Sequence, residues 1–188
     1  MKDRIKFLVL GVMTLLFVAC CPSSTTVSEA TPSWKGELTA NLPLLGHRNW
    51  IVVTDMAYPL QTQPGIKTIY TNESYVEILK FVHQEIEKAP HVKATIYQDK
   101  ELSYLDENAA QGIDALRGQM KTLLGDNVTP VIHEELIARL DEVSRVFNVV
   151  ILKSNLTIPY TSTFFELDCN YWESAKEDAL KKKITGSN

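Results

Sequence analysis

Two short runs constrain this chain more than any other feature: Trp50-Ile51-Val52-Val53 and Val149-Val150-Ile151-Leu152. Both are unbroken apolar stretches rich in β-branched side chains. Successive side chains of a strand point to opposite faces of its sheet, so a half-solvated strand alternates apolar with polar. A run that does not alternate is buried on both faces. A sheet covered on both faces needs helices to cover it, and the intervening sequence supplies them. Val76, Leu79, Val82 and Ile86 recur at helical spacing, with Ile78 and Phe81 widening the stripe. That helix is expected from Asn72, with Glu73 in its first turn, to just before Pro90. Ile113, Leu116, Met120 and Leu123 mark a second helix, stopped by Gly125-Asp126. Leu136, Ile137, Leu140 and Val143 mark a third, from Glu134 to Val146.

Weaker strand signals fill the gaps. Ile66 to Tyr70 follows the turn pair Pro64-Gly65, and His91 to Tyr97 alternates. Val128 to Ile132 is interrupted by Pro130, and Thr163 to Leu167 closes the series. Asn170 to Lys183 reads as a terminal helix, acidic early and basic late, as the helix dipole favours. Strands alternating with amphipathic helices predict an α/β fold. The expected form is a three-layer sandwich around a largely buried, mainly parallel or mixed sheet.

The N-terminus carries a different message. Lys2, Arg4 and Lys6 precede an apolar run from Phe7 to Val18. That run is shorter than the about 20 residues that span a bilayer, and it has the flanks of a signal peptide. It ends Leu16-Phe17-Val18-Ala19-Cys20, which resembles the bacterial lipobox, although Phe17 stands where an aliphatic residue is usual. Residues 1–20 are therefore expected to be a lipoprotein signal peptide. Cys20 would be the lipidated mature terminus, anchored to a bacterial membrane and facing the periplasm or cell surface. The alternative is a plain secretory signal with an incidental cysteine. Residues 21–33, rich in Ser, Thr and Pro, read as a flexible tether. Residues 34–188 then form one domain, large enough for a real core.

Charge and cysteine content exclude several classes. The formal charge of −4 becomes −6 when Lys2, Arg4, Lys6 and Asp3 are removed with the leader. An acidic body argues against nucleic acid as partner. Adjacent Cys20 and Cys21 cannot easily pair, and Cys169 is the third cysteine, so no disulfide framework is expected. There is no zinc-type Cys/His spacing, no Gly-rich phosphate loop, no Gly-x-Ser-x-Gly and no His-Glu-x-x-His.

The polar groups that remain lie at strand ends. Gly46-His47 precedes the first strand and Asp55 follows it, so the two should lie near its opposite ends. They could divide acid and base roles if a second subunit brought them to one pocket. Taken alone, Gly46-His47 also reads as a turn and Asp55 as a cap. His133 opens the third helix, where its cation is disfavoured. Pro159-Tyr160-Thr161-Ser162 reads as a simple strand connection, or as a polar loop whose tyrosine and hydroxyls suit a sugar.

In chain order these pieces resemble the D-ribose pyranase / L-fucose mutarotase family. Leu45-Gly46-His47 through Thr54-Asp55, followed by Ala57-Tyr58-Pro59, is similar to the family's Leu-Gly-His-x-Asp, apolar strand and Asp-Ala-x-x-Pro. His133-Glu134-Glu135-Leu136 is similar to its His-Glu-x-Phe. Ile151-Leu152-Lys153-Ser154 and Pro159-Tyr160-Thr161-Ser162 stand in register with its basic residue and its Pro-Tyr-x-Asn. The resemblance runs from about Leu38 to Leu167. It implies a ribose pyranase-like fold, a ring-shaped homo-oligomer with sites between subunits, and a monosaccharide ligand. By the same resemblance His47 is the proton donor, and Asp55 and His133 bind or polarise the sugar. Tyr160 and Ser162 belong to the loop that touches it. The implied activity is a mutarotase or pyranase that opens and recloses a free sugar with no cofactor and no metal. The departures are Ser162 for the family's asparagine, Asn155-Leu156 for its Gly-Glu, and a C-terminal extension. They keep two rivals in view: a non-catalytic sugar-binding lipoprotein and a structural surface protein.

Overall fold

A computed structural model describes residues 33–186. The expected leader, the lipidation at Cys20 and the tether up to residue 32 lie outside the described residues. Six strands form one sheet: β1 (Trp50–Thr54), β2 (Ile66–Tyr70), β3 (Val92–Asp99), β4 (Val128–Val131), β5 (Val149–Lys153) and β6 (Thr163–Cys169). Their spatial order is β2-β5-β1-β6-β3-β4. The pairs β1–β5, β2–β5 and β3–β4 are parallel. β6 is antiparallel to both its neighbours, β1 and β3. The sheet is therefore mixed, with β6 opposing the other strands. That direction decides where chemistry can sit. The C-terminal ends of β1, β2, β3, β4 and β5 and the start of β6 share one edge of the sheet.

The side chains of β1 divide as a doubly covered strand requires. Ile51 and Val53, with Val150, Leu152 and Phe165, pack toward α1 (Trp34–Asn41), α2 (Tyr75–Lys88) and α3 (Ile113–Leu124). Trp50 and Val52, with Val149, Ile151 and Phe164, pack against Leu136 and Leu140 of α4 (His133–Val143). The result is three layers, helices–sheet–helix. Ile51, Val52 and Val53 are fully buried. Burying such a side chain is worth about 1.5–3 kcal/mol, so these strands anchor the core. Among the described residues no helix is long and apolar enough to cross a membrane.

Local chemistry sets the boundaries. Gly125 ends α3 at φ +71°, where its amide bonds the Lys121 carbonyl. Gly65 lets β2 start close against the end of α4: a Cβ there would collide with the carbonyl oxygens of Ser144 and Phe147. α2 starts at Tyr75, later than the expected Asn72, because Ser74 caps it and Asn72 sits at φ +55° in the preceding turn. α1 escaped the sequence reading. It is short and buries only Trp34 and Leu38, too few positions to show a stripe. The terminal helix α5 (Ser174–Thr185) is also shorter than expected and buries none of its side chains.

Candidate functional site

Asp55 follows β1 directly, and its Oδ1 accepts the Ala57 amide at 2.7 Å, which bends the chain across the sheet edge. Lys153, at the end of β5, donates from Nζ to the Tyr58 carbonyl at 2.5 Å and holds that bend down. His133 begins α4 immediately after β4. The loop between β5 and β6 turns at Tyr160, whose φ of +55° is rare for a bulky side chain. These segments enclose an open cleft of about 460 Å³ lined by Asp55, Met56, Tyr58, His133, Pro159 and Tyr160. The size suits a small ligand. The His133 and Tyr160 rings meet edge to face, with centroids 5.5 Å apart.

A carboxylate that sequence reasoning missed stands behind this cleft. Asp99 ends β3, and its side chain is 0% exposed. Its Oδ1 lies 3.0 Å from His133 Nδ1, and the Ser162 main chain also donates to it. Its Oδ2 has no partner among the described residues. Burial pushes the Asp99 carboxyl up to about 6, with the bond to His133 pulling the other way. Glu101 accepts the His133 main-chain N–H, at 3.2 and 3.1 Å from its two oxygens. The Tyr75 phenol, sealed in the core and bonded to Thr163 Oγ1 at 2.7 Å, is held well above its usual range by burial. The Tyr58 phenol is raised too, first by burial and then by Asp141 and Asp99. The signal for Asp99 was present but faint. The strand was expected to stop at Tyr97, and the alternation Lys93, Thr95, Tyr97 continues to Asp99 at its end.

Ser162 does not reach the cleft with its hydroxyl. The residue is buried, at 1% exposure, and its contribution is the amide that faces Asp99. His47 lies elsewhere. It precedes β1 at the opposite edge, with Arg48 at φ +71° in the turn. Its Nδ1 meets Asp168 Oδ1 at 2.7 Å, with side chains 60% and 45% exposed. Burial acts against ionisation of Asp168, but the Cys169 amide and His47 together hold its carboxyl below the usual range. A strand such as β1 puts about 16 Å between its ends at about 3.3 Å per residue. Within one chain, then, the structure brings Asp55, His133 and Tyr160 together and leaves His47 apart. The residues around His47 include Trp172, Glu173 and Lys181 of the C-terminal extension. Among the described residues no cluster of His, Cys, Asp and Glu is placed to hold a metal ion.

No family model matches the chain, and no curated protein matches it. Solved structures do. Bacillus subtilis RbsD complexed with D-ribose superposes with a TM-score of 0.50 at 15% identity, over 70% of this chain and 91% of its own. The fucose mutarotase of Streptococcus pneumoniae in complex with L-fucose gives a TM-score of 0.46 at 17% identity, over 70% and 91%. FucU from Bifidobacterium longum gives 0.47 at 16%, over 70% and 93%. The chain shares the fold of RbsD, and the ribose pyranase-like architecture implied by the motif resemblance is borne out.

Proposed function

We propose that this domain binds a free monosaccharide in the Asp55–His133–Tyr160 cleft and interconverts its anomers or ring forms without a cofactor. The observation that carries the reading is convergence. Three residues from separate parts of the chain, each singled out from its motif, line one open cleft at one sheet edge. Asp55 spends Oδ1 on the Ala57 amide, and its second oxygen can take a sugar hydroxyl. Tyr160, 40% exposed, offers a ring face for the apolar side of a pyranose. Ring opening needs a base for the anomeric hydroxyl proton and an acid for the ring oxygen. In this reading the acid is His47 of a second copy, because His47 of the same chain is too far away. The ring assembly implied by the motif resemblance supplies such a neighbour.

The test is saturation-transfer NMR with the folded domain on ribose, fucose, galactose, arabinose and xylose. Wild type is expected to accelerate exchange of at least one sugar. His47→Gln should lose that acceleration by about 10²–10⁴-fold while still binding. Equal exchange by both proteins would overturn the catalytic reading. A specific observation favours a second reading, a non-catalytic sugar-binding protein. His47 is already tied to Asp168, and its surroundings hold residues of the C-terminal extension. Wild type that binds a sugar without exchanging it would establish that alternative.

A further inference from the structure

Asp99 is hard to explain as packing. Its carboxylate is fully enclosed, and one of its oxygens has no hydrogen-bond partner among the described residues. A buried polar atom without a partner is destabilising, and more so when charged. Asparagine has nearly the same shape and would bond the Ser162 amide as well. The one thing it would not supply is a negative charge for the imidazole that Asp99 touches at 3.0 Å.

The orientation of that contact is specific. Asp99 meets Nδ1, so Nε2 is the ring nitrogen left for the cleft that His133 lines. Among the described residues Nε2 makes no hydrogen bond. An ionised carboxylate accepts and does not donate, so Nδ1 must carry the hydrogen and Nε2 the lone pair. We infer that Asp99 is the positioning residue of this site: it fixes His133 as the Nδ1–H tautomer, so that Nε2 is the base that takes the anomeric proton of the bound sugar.

The inference rests on the sugar-exchange reading. Nε2 takes the proton of the anomeric hydroxyl as C1=O forms. The bond between C1 and the ring oxygen breaks, and its electron pair stays on that oxygen. The ring oxygen receives a proton from the His47 imidazolium of the second copy. Rotation about C1–C2 and reversal of the steps give the other anomer and restore both histidines. The charge of imidazolium His133 is then held by Asp99, whose otherwise costly burial acquires a use.

The experiment reads the tautomer first. Nitrogen-15 NMR of the imidazoles of the folded domain at pH 7.5, with His133 assigned by its loss in His133→Gln, should show protonated Nδ1 and unprotonated Nε2. Asp99→Asn should move the ring toward the Nε2–H form. It should also slow sugar exchange by about 10²-fold or more, with sugar binding unchanged within about threefold. Wild-type His133 in the Nε2–H form would overturn the inference, even if Asp99→Asn does not fold. So would a folded Asp99→Asn with the wild-type tautomer or the wild-type exchange rate. If wild type exchanges no sugar, the functional reading fails by itself, and the base assigned to His133 fails with it. The tautomer shift then still decides whether Asp99 positions the ring.

Discussion

Each edge of the sheet carries one histidine–aspartate pair, and the two differ in everything but composition. His47 and Asp168 meet at 2.7 Å in water, each about half exposed. His133 and Asp99 meet at 3.0 Å around a carboxylate that is sealed from solvent. Exposed pairs are typically worth about 0–1 kcal/mol, because both ions keep their hydration and salt screens them. His47 can therefore give up Asp168 for another chain or a ligand at small cost. The buried pair has no such freedom. Its carboxylate is underbonded, its histidine is fixed, and its environment raises the proton affinity of Asp99 toward neutral pH. The difference separates a group that can be delivered from a group that must be preorganised.

The comparison breaks most visibly if the two edges do not cooperate. His47→Gln should lower exchange by about 10²–10⁴-fold, and Asp55→Asn, which weakens a charged hydrogen bond to the sugar, by about 10–100-fold. Mixed in equal amounts and allowed to swap subunits, they should recover about a quarter of the wild-type rate. That is the random fraction of interfaces that join an intact His47 to an intact Asp55. Failure to recover any activity, with mixed oligomers present by mass spectrometry, would mean that the edges do not act across copies.

A smaller effect sharpens the buried end. The folded Asp99 carboxyl lies at about 6 against an ordinary 3.8. Below 3.8 both folded and unfolded chains hold the proton and Asp99 costs nothing. Between 3.8 and about 6 the unfolded chain releases it first, so stability falls as pH rises. Above 6 the loss is complete, about 3 kcal/mol at about 1.4 kcal/mol per pH unit. That cost is net of the bond to His133, so Asp99→Asn, which matches the neutral acid in shape and charge, removes most of it. Urea denaturation should therefore show the variant about 2–3 kcal/mol more stable than wild type at pH 8, with most of the gain gone at pH 4. A variant less stable than wild type at pH 8 would count against the strain assigned to this carboxylate.

The smallest effect belongs to the exposed end. His47→Ala should change stability by no more than about 0.5 kcal/mol, with little dependence on pH or salt. A loss above about 2 kcal/mol in the same denaturation series would make the His47–Asp168 contact structural and erase the contrast.

Much of this was legible in the residues. Trp50–Val53 and Val149–Leu152 had to be buried on both faces, and the structure splits β1 between two apolar layers as that demands. β2 was readable to its ends because Pro64-Gly65 marks its start. Asp55, His133 and Tyr160 were legible as candidates because, within a motif, Asp55 follows a strand, His133 opens a helix and Tyr160 lies in the loop before a strand. Their meeting at one cleft was not. It depends on β6 running against its neighbours, which puts the loop before β6 beside the end of β1.

The sequence by itself determined the periods: apart from the short α1, which segments are strands, which are helices, and which faces avoid water. Those are local quantities, set by how side chains recur along a few residues. The direction of β6 is not local, because a buried strand reads the same in a parallel or an antiparallel pairing. Nor is the state of Asp99. Its proton affinity depends on losing water beneath segments remote in the chain, with Ser162 and His133 as its remaining partners. Only the tertiary structure could decide that, because desolvation of a charge is a property of the three-dimensional surroundings and leaves no period in the sequence.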